Sequence, residues 1–403
     1  MYIFKAGVVG AGTMGAEIAQ VISASGLPVV LKDIDQSILD RGMAAIRGIY
    51  QRRVERGKMT AEEMARQLAL IKPTLDYGDF ADVDIIIEAV PEEMAIKKRV
   101  FGELEPVVPE TTIFATNTSA LSISEMGAAT RRPHKVIGMH FFNPAHVMRL
   151  VEVIPGLDTA RETVDDVVTF AKSLSKVPVV VQECPGFVVN RLLMPYLNEA
   201  TYCLLEGAAT ATEIDAAVVA FGMPMGPFAL MDMIGIDVCL HILDYLYSEY
   251  GPRMAPAPLL RELVQAGRLG KKVGKGFYGY GEETDEEVRA LIASHGRDPQ
   301  SEFTVERVIY PLINEAVLAL QENIASLNDI DLAMVAGAGM GYQGERKGPL
   351  AIADQIGLDV VLAQLEALHA RYGERFRPAR LLRTKVRAGH LGLKTKQGFH
   401  WYV

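Results

Sequence analysis

The feature that most restricts this chain is Gly10-Ala11-Gly12-Thr13-Met14-Gly15, which follows the apolar pair Val8-Val9 and opens a helical pattern. A GxGxxG run alone is a weak signal; between a strand and a helix each glycine has its own reason to be there. Gly10 permits a tight turn, Gly12 lets a pyrophosphate approach the backbone, and Gly15 lets helix and strand pack closely. Thr13 and Met14 begin a helix whose free N–H groups and partial positive charge suit an anion. Asp33 ends the next strand, 18 residues beyond Gly15. A carboxylate there accepts hydrogen bonds from an adenosine ribose and repels a 2′-phosphate, so NAD is expected rather than NADP. Lys32 is expected to point to the other side of its strand.

Short β-branched runs alternate with longer helical patterns through the first part of the chain, as a parallel α/β sheet requires. The strand candidates are Val8-Val9, Val29-Val30-Leu31, Ile85-Ile86-Ile87, Ile113-Phe114-Ala115, Val136-Ile137-Gly138, Val151-Glu152-Val153 and Pro178-Val179-Val180-Val181. A charged stretch from Asp35 to Leu70, broken at Gly57-Lys58-Met59-Thr60, predicts a helical hairpin inserted into the sheet domain, with Thr60 and Glu63 as a capping box. After Glu183-Cys184-Pro185-Gly186 the strand signals stop and helical patterns take over.

The helical part repeats itself. Arg191, Pro195, Asn198, Glu199, Glu206 and Asp215 return 116 residues later as Arg307, Pro311, Asn314, Glu315, Glu322 and Asp331. With six more residues inserted, Gly226-Pro227, Asp232, Gly235 and Asp237 return as Gly348-Pro349, Asp354, Gly357 and Asp359, and Gly267, Gly270, Lys272, Gly276 and Phe277 as Gly389, Gly392, Lys394, Gly398 and Phe399. The fold expected is an α/β Rossmann-type N-terminal domain with an inserted helical hairpin (1–184), then two tandem all-α domains (185–290 and 300–403). The acidic, polar segment Gly281 to Glu302 marks the second boundary.

At 403 residues the chain is long enough for two or three cores. A formal net charge of −9 argues against a nucleic-acid footprint, which needs a basic surface, and leaves room for a local basic pocket. Cys184, Cys203 and Cys239 cannot pair completely and lack CxxC spacing, so a reducing compartment and no metal site are expected. No apolar run is long enough to span a bilayer. Met1-Tyr2-Ile3-Phe4-Lys5 leads at once into the glycine loop, leaving no room for a leader. A cytoplasmic protein with neither membrane nor nucleic acid as partner is the expectation.

Further polar residues stand at or beyond strand ends or at helix starts, where open α/β sheets bind ligands. They fall in Asn117-Thr118-Ser119, His140-Phe141-Phe142-Asn143-Pro144, Leu150-Val151-Glu152-Val153 and Pro185-Gly186-Phe187-Val188-Val189-Asn190-Arg191. Oxidising an alcohol with NAD needs a base for the hydroxyl proton, and histidine titrates in the right range. A carboxylate fixes its tautomer and stabilises the imidazolium, while a hydroxyl and an amide hold the substrate oxygen. Singly, His140 reads as a structural histidine, Glu152 as a surface acid, Ser119 as a helix cap and Asn190 as a helix-start amide. Together, beside a nucleotide loop, they read as a reacting centre.

These segments, with Met223-Pro224-Met225-Gly226-Pro227-Phe228 and Gly274-Lys275-Gly276-Phe277-Tyr278, resemble the L-3-hydroxyacyl-CoA dehydrogenases of fatty-acid β-oxidation over nearly the whole chain. The resemblance implies His140 as base, Glu152 as the acid orienting it, and Ser119 and Asn190 as contacts of the substrate's 3-oxygen. It implies cofactor contacts at Asn117 and, on the nicotinamide ribose, at Glu92 and Lys97, two residues that the sequence alone presents as solvated at a helix start. An acyl-CoA is expected between the Rossmann and helical domains. Its phosphates need cations, and Arg52, Arg53, Arg56 and Lys58 of the hairpin supply them, with Arg53, Arg56 and Lys58 the substrate-binding candidates.

The tandem helical arrangement resembles the dehydrogenase part of multifunctional β-oxidation enzymes. The second copy has no glycine loop, and Glu306 stands where the first has Asn190. Residues 303–403 are therefore read as structural, an internal partner for a face that simple family members bury by dimerising. A monomer is expected on that ground, a homo-oligomer remaining open. Three other readings stand beside this one: a related dehydrogenase of gulonate or carnitine type, a non-catalytic NAD-binding or lens-type protein, and a subunit supplying only the dehydrogenase step to a larger complex.

Overall fold

A computed structural model of the chain describes residues 2–281 and 283–403. The chain forms two compact units, Met1–Phe187 and Val188–Val403.

The first unit is built on eight strands: β1 (Ala6–Val9), β2 (Val29–Lys32), β3 (Ile71–Thr74), β4 (Ile85–Glu88), β5 (Ile113–Thr116), β6 (Val136–Phe141), β7 (Leu150–Pro155) and β8 (Val177–Val180). Their order in the sheet is β3-β2-β1-β4-β5-β6-β7-β8. Neighbours run parallel except β6 and β7, which are antiparallel. The central strands are unbroken apolar runs because helices cover both faces: Ile85, Ile86 and Ile87 have no exposed surface at all. The helices are α1 (Thr13–Ala24), α2 (Gln36–Glu55), α3 (Ala61–Ala69), α4 (Met94–Leu104), α5 (Ile123–Ala128) and α6 (Arg161–Ser173).

The inserted hairpin is α2 and α3. Asp35 caps α2 by accepting from the N–H groups of Ser37 and Ile38, and Thr60 and Glu63 form the expected capping box on α3. The strand β3 escaped the sequence reading because Pro73 interrupts a short, half-polar run. Proline is tolerated there because β3 is the edge of the sheet, with no ladder on its outer side.

The second unit is helical: α7 (Val189–Leu205), α8 (Ala211–Phe221), α9 (Pro227–Ile234), α10 (Ile236–Tyr250), α11 (Pro258–Gln265), α12 (Glu286–His295), α13 (Val305–Gln321), α14 (Leu327–Ala338), α15 (Pro349–Ile356), α16 (Leu358–Tyr372) and α17 (Arg380–Arg387). Helices α7 and α13 pack on each other and are buried on nearly every side, each with a proline inside it. Their ion pairs are reciprocal. Arg191 Nε of α7 meets Glu315 Oε1 of α13 at 2.8 Å, and Arg307 Nε of α13 meets Glu199 Oε1 of α7 at 2.8 Å. The polar segment read as a boundary carries α12, tied back by Glu287 to Arg268 at 3.4 Å. Among the described residues no helix is long and apolar enough to cross a membrane.

Candidate active site

The glycine loop leaves β1 and enters α1 with three different constraints. Gly10 has φ +100°, and a Cβ on it would lie 2.5 Å from the Ala89 carbonyl oxygen. A Cβ on Gly15 would lie 1.8 Å from the Gly10 carbonyl oxygen, so strand and helix can meet only there without a side chain. Around Gly12 a Cβ would touch nothing within 4 Å: the space beside it is open, as backbone approach by a pyrophosphate demands. Asp33 follows β2, and its Oδ2 accepts the Ala11 N–H at 2.7 Å, fixing the loop as well as offering an acceptor. Lys32 is buried with its Nζ 3.9 Å from the Tyr77 ring centroid. Its ammonium is taken up by that ring and by the Asp33 carbonyl oxygen at 3.4 Å. The loop, the uncapped start of α1 and Asp33 fit a dinucleotide.

The antiparallel exception in the sheet makes the reacting centre. His140 and Glu152 are directly opposite each other in the β6–β7 ladder, which brings their side chains to one face; a slip of one residue would separate them. His140 Nδ1 lies 2.8 Å from Glu152 Oε2, with the imidazole 5% exposed and the carboxylate fully buried. On the other side His140 Nε2 lies 3.1 Å from Ser119 Oγ. Phe142 and Phe187 pack on the ring, with centroids 4.6 and 5.7 Å away. Ser119, a candidate helix cap by sequence, is not one: Ser122 caps α5.

Behind Ser119 lies a network that the sequence did not reveal. Glu92 Oε1 accepts from Thr118 Oγ1 at 2.6 Å, Ser119 N at 2.8 Å and Ala120 N at 3.3 Å. Lys97 reaches Glu92 at 3.2 Å and both oxygens of Glu88 at 2.9 and 3.0 Å. Burial works against ionisation of Glu92, but Lys97 and these donors outweigh it and hold the carboxyl below its ordinary range. Burial pushes Glu88 the other way, upward, against the pull of Lys97 and Thr116. The residues alone presented Lys97 as solvated; it is 1% exposed. Glu88 was passed over because an acid at a strand end carries no mark of a lysine on the next helix. Asn117 Oδ1 accepts the Phe141 N–H at 2.8 Å, tying the end of β5 to the strand that carries His140. Asn190 lies in the first turn of α7, in the second unit.

Within the first unit a cavity of about 580 Å³ opens between the end of α2, α1 and the residues around Val147 and Ser175. Arg52, Arg53, Arg56 and Lys58 line one side, and His146, Arg149 and Lys176 belong to the other elements of its wall. Cations from three separate parts of the chain thus line one hollow, where their fields add.

A nucleotide-binding sheet and a buried histidine–carboxylate pair define a dinucleotide-dependent oxidoreductase. The family model described as 3-hydroxyacyl-CoA dehydrogenase, NAD binding domain, matches residues 5–184, and the one described as 3-hydroxyacyl-CoA dehydrogenase, C-terminal domain, matches residues 186–280 and 303–402. The chain belongs to the 3-hydroxyacyl-CoA dehydrogenase family, and its cofactor is NAD. A 3-hydroxybutyryl-CoA dehydrogenase from Escherichia coli K12 is similar in structure, with a TM-score of 0.87 and 33% identity over 96% of this chain and 99% of that one. A (S)-3-hydroxybutyryl-CoA dehydrogenase from Ralstonia eutropha is 43% identical, with a TM-score of 0.68, over 70% of this chain and all of that one. The fatty acid oxidation complex subunit alpha of Psychrobacter arcticus is 39% identical over 96% of this chain. The chain spans only 55% of that protein's length.

Proposed function

We infer that the chain oxidises L-3-hydroxyacyl-CoA to 3-ketoacyl-CoA with NAD, and runs the reverse reaction. The observation that carries this reading is the line Ser119–His140–Glu152, with bonds of 3.1 and 2.8 Å, in the same sheet unit as the glycine loop. With Nδ1–H donated to Glu152, the basic nitrogen of His140 is Nε2, the one facing Ser119. Nε2 takes the proton of the 3-hydroxyl as the hydride leaves C3, and the carbon–oxygen bond becomes a carbonyl. NAD supplies the hydride acceptor. Glu152 stabilises the imidazolium formed, Ser119 donates to the substrate oxygen, and Phe142 and Phe187 keep water from the ring. The assignment of Asn190 to the substrate oxygen rests on the resemblance alone. The nicotinamide-ribose contacts of Glu92 and Lys97 and the cofactor contact of Asn117 rest on the same ground.

The cations around the 580 Å³ cavity favour a CoA thioester over a free acid such as gulonate or carnitine, whose small anion needs no second basic site. Arg53, Arg56 and Lys58 are assigned to the CoA phosphates on this basis. The test is the oxidation of NADH with acetoacetyl-CoA beside the oxidised free acids, for the wild type and His140→Gln. Acetoacetyl-CoA should be the better substrate, and His140→Gln should lower kcat by about 10³-fold with little change in NADH affinity. Faster turnover of a free acid would replace the substrate; an active His140→Gln would remove the base.

A further inference from the structure

The loop from Phe142 to Arg149 joins β6 to β7, and so joins the imidazole to its carboxylate. Much of it is open: Asn143, His146, Val147 and Arg149 are exposed. Ala145 is fully buried, and both its backbone polar groups are taken by charged side chains from elsewhere in the unit. Its N–H donates to Glu17 Oε2 at 2.5 Å, and its carbonyl accepts from Lys176 Nζ at 2.5 Å. Lys176 donates again, to the Met148 carbonyl at 2.8 Å, and Glu17 Oε1 lies 3.5 Å from His146 Nδ1. Glu17 belongs to α1, the helix opened by the glycine loop. Lys176 immediately precedes β8, which pairs with β7.

We propose that Glu17 and Lys176 are positioning residues that clamp the β6–β7 connection and through it hold His140 against Glu152. The proposal rests on the catalytic reading above. A buried peptide must find partners, and here they are two opposite charges drawn from two distant elements. An antiparallel register is set by its connection, and this connection has one buried peg. Removing Lys176 strands the carbonyls of Ala145 and Met148 and leaves Glu17 without its countercharge. Because Glu17 rides on α1, the clamp also ties the cofactor helix to the catalytic hairpin.

The clamp has a pH signature. Burial, opposed by Glu17 and helped a little by Arg149, brings the Lys176 ammonium down to about 8. Facing it besides are His146 on the same loop and Arg52, Arg53, Arg56 and Lys58 around the cavity that Lys176 lines. As pH rises through about 8, charge-assisted bonds give way to weaker neutral ones. Loss of the Lys176 proton should therefore lower kcat on the alkaline side of its pH profile.

The experiment follows 3-hydroxybutyryl-CoA oxidation by NAD in the full chain, for wild type, Lys176→Met, Lys176→Arg and Glu17→Gln. Lys176→Met should lower kcat about tenfold or more with the KM for NAD within about twofold, because misplacement rather than lost binding is responsible. Amide exchange across residues 142–149 should quicken in the same variant. Lys176→Arg should recover most of the rate and carry the alkaline limb beyond about pH 9, since a guanidinium keeps its proton. Glu17→Gln, which retains an acceptor for Ala145 but not the charge, should fall between. A Lys176→Met protein with wild-type kcat and exchange overturns the clamp, as does a Lys176→Arg protein whose alkaline limb coincides with that of wild type. If Lys176→Met fails to fold, the Lys176→Arg profile decides. A wild type inactive on this thioester would instead sink the catalytic reading, and exchange alone would then judge the clamp.

Discussion

Gly12 and Gly15 stand three residues apart in one loop, yet the same added methyl group should affect them in opposite ways. At Gly15 the new carbon would sit on the Gly10 carbonyl oxygen, so Gly15→Ala should lower the melting temperature by many degrees and remove NAD binding with it. At Gly12 the backbone, at φ −65° and ψ −171°, suits any residue, and the space beyond is empty. Gly12→Ala should therefore melt within about 2 °C of wild type while losing about tenfold or more in NAD affinity. Thermal melts and NAD titrations of the two variants check this; equal loss of stability in both would mean Gly12 is a folding residue. His140, Glu152 and Ser119 were legible because each lies in or just beyond an apolar strand. Glu88 was not, since nothing in the sequence joins it to Lys97 nine positions on.

Between elements, the second unit uses the same hook twice. Asp232 accepts from the N–H groups of Phe277 and Tyr278 and from Tyr280 Oη; Asp354 accepts from Phe399, His400 and Tyr402 in the same way. A second hook differs by one residue: Tyr278 Oη donates to Asp215 at 2.8 Å, whereas His400 Nε2 meets Asp331 at 2.8 Å. The hydrogen bond to Asp331 raises the His400 pKa above its ordinary value, against partial burial. The folded pKa exceeds the unfolded one, so this contact stabilises fully below about pH 6 and fades as pH climbs through the raised value. The melting temperature should decline as pH rises above about 6 in wild type and lose that component in His400→Tyr, which restores the first hook's phenol. Parallel melting curves for the two proteins across that range would remove the assignment.

At the scale of the molecule, we propose that residues 303–403 are a second, structural copy of the helical domain, standing in for a partner chain. The reciprocal pairs Arg191–Glu315 and Arg307–Glu199 are the pattern of an isologous interface, residue for residue, carried within one chain. Arg253 and Arg375 repeat it, reaching Glu315 at 3.2 Å and Glu199 at 2.8 Å. Ending the chain after Glu302 would strip one whole side from α7, taking Glu315 from Arg191 and both Arg307 and Arg375 from Glu199, at a cost of about 3–5 kcal/mol for each broken buried pair. The truncated protein should dimerise or aggregate in light scattering, and should melt lower than the full chain. A monomer of residues 1–302 with the full chain's melting temperature would show that the second half supports nothing.

The sequence by itself determined the sheet domain, the inserted hairpin with its capping box, the nucleotide loop and the strand-end residues of the site. These are local matters: turn geometry, capping and side-chain period act over a few neighbouring residues. Tertiary structure alone decided that β6 and β7 run antiparallel and set His140 against Glu152, that Lys97 is enclosed by two carboxylates, and that Ala145 is gripped from two directions. Those outcomes depend on which residues distant in the chain come to share a buried, low-dielectric space, where an unpartnered charge or peptide is costly and a partnered one is fixed.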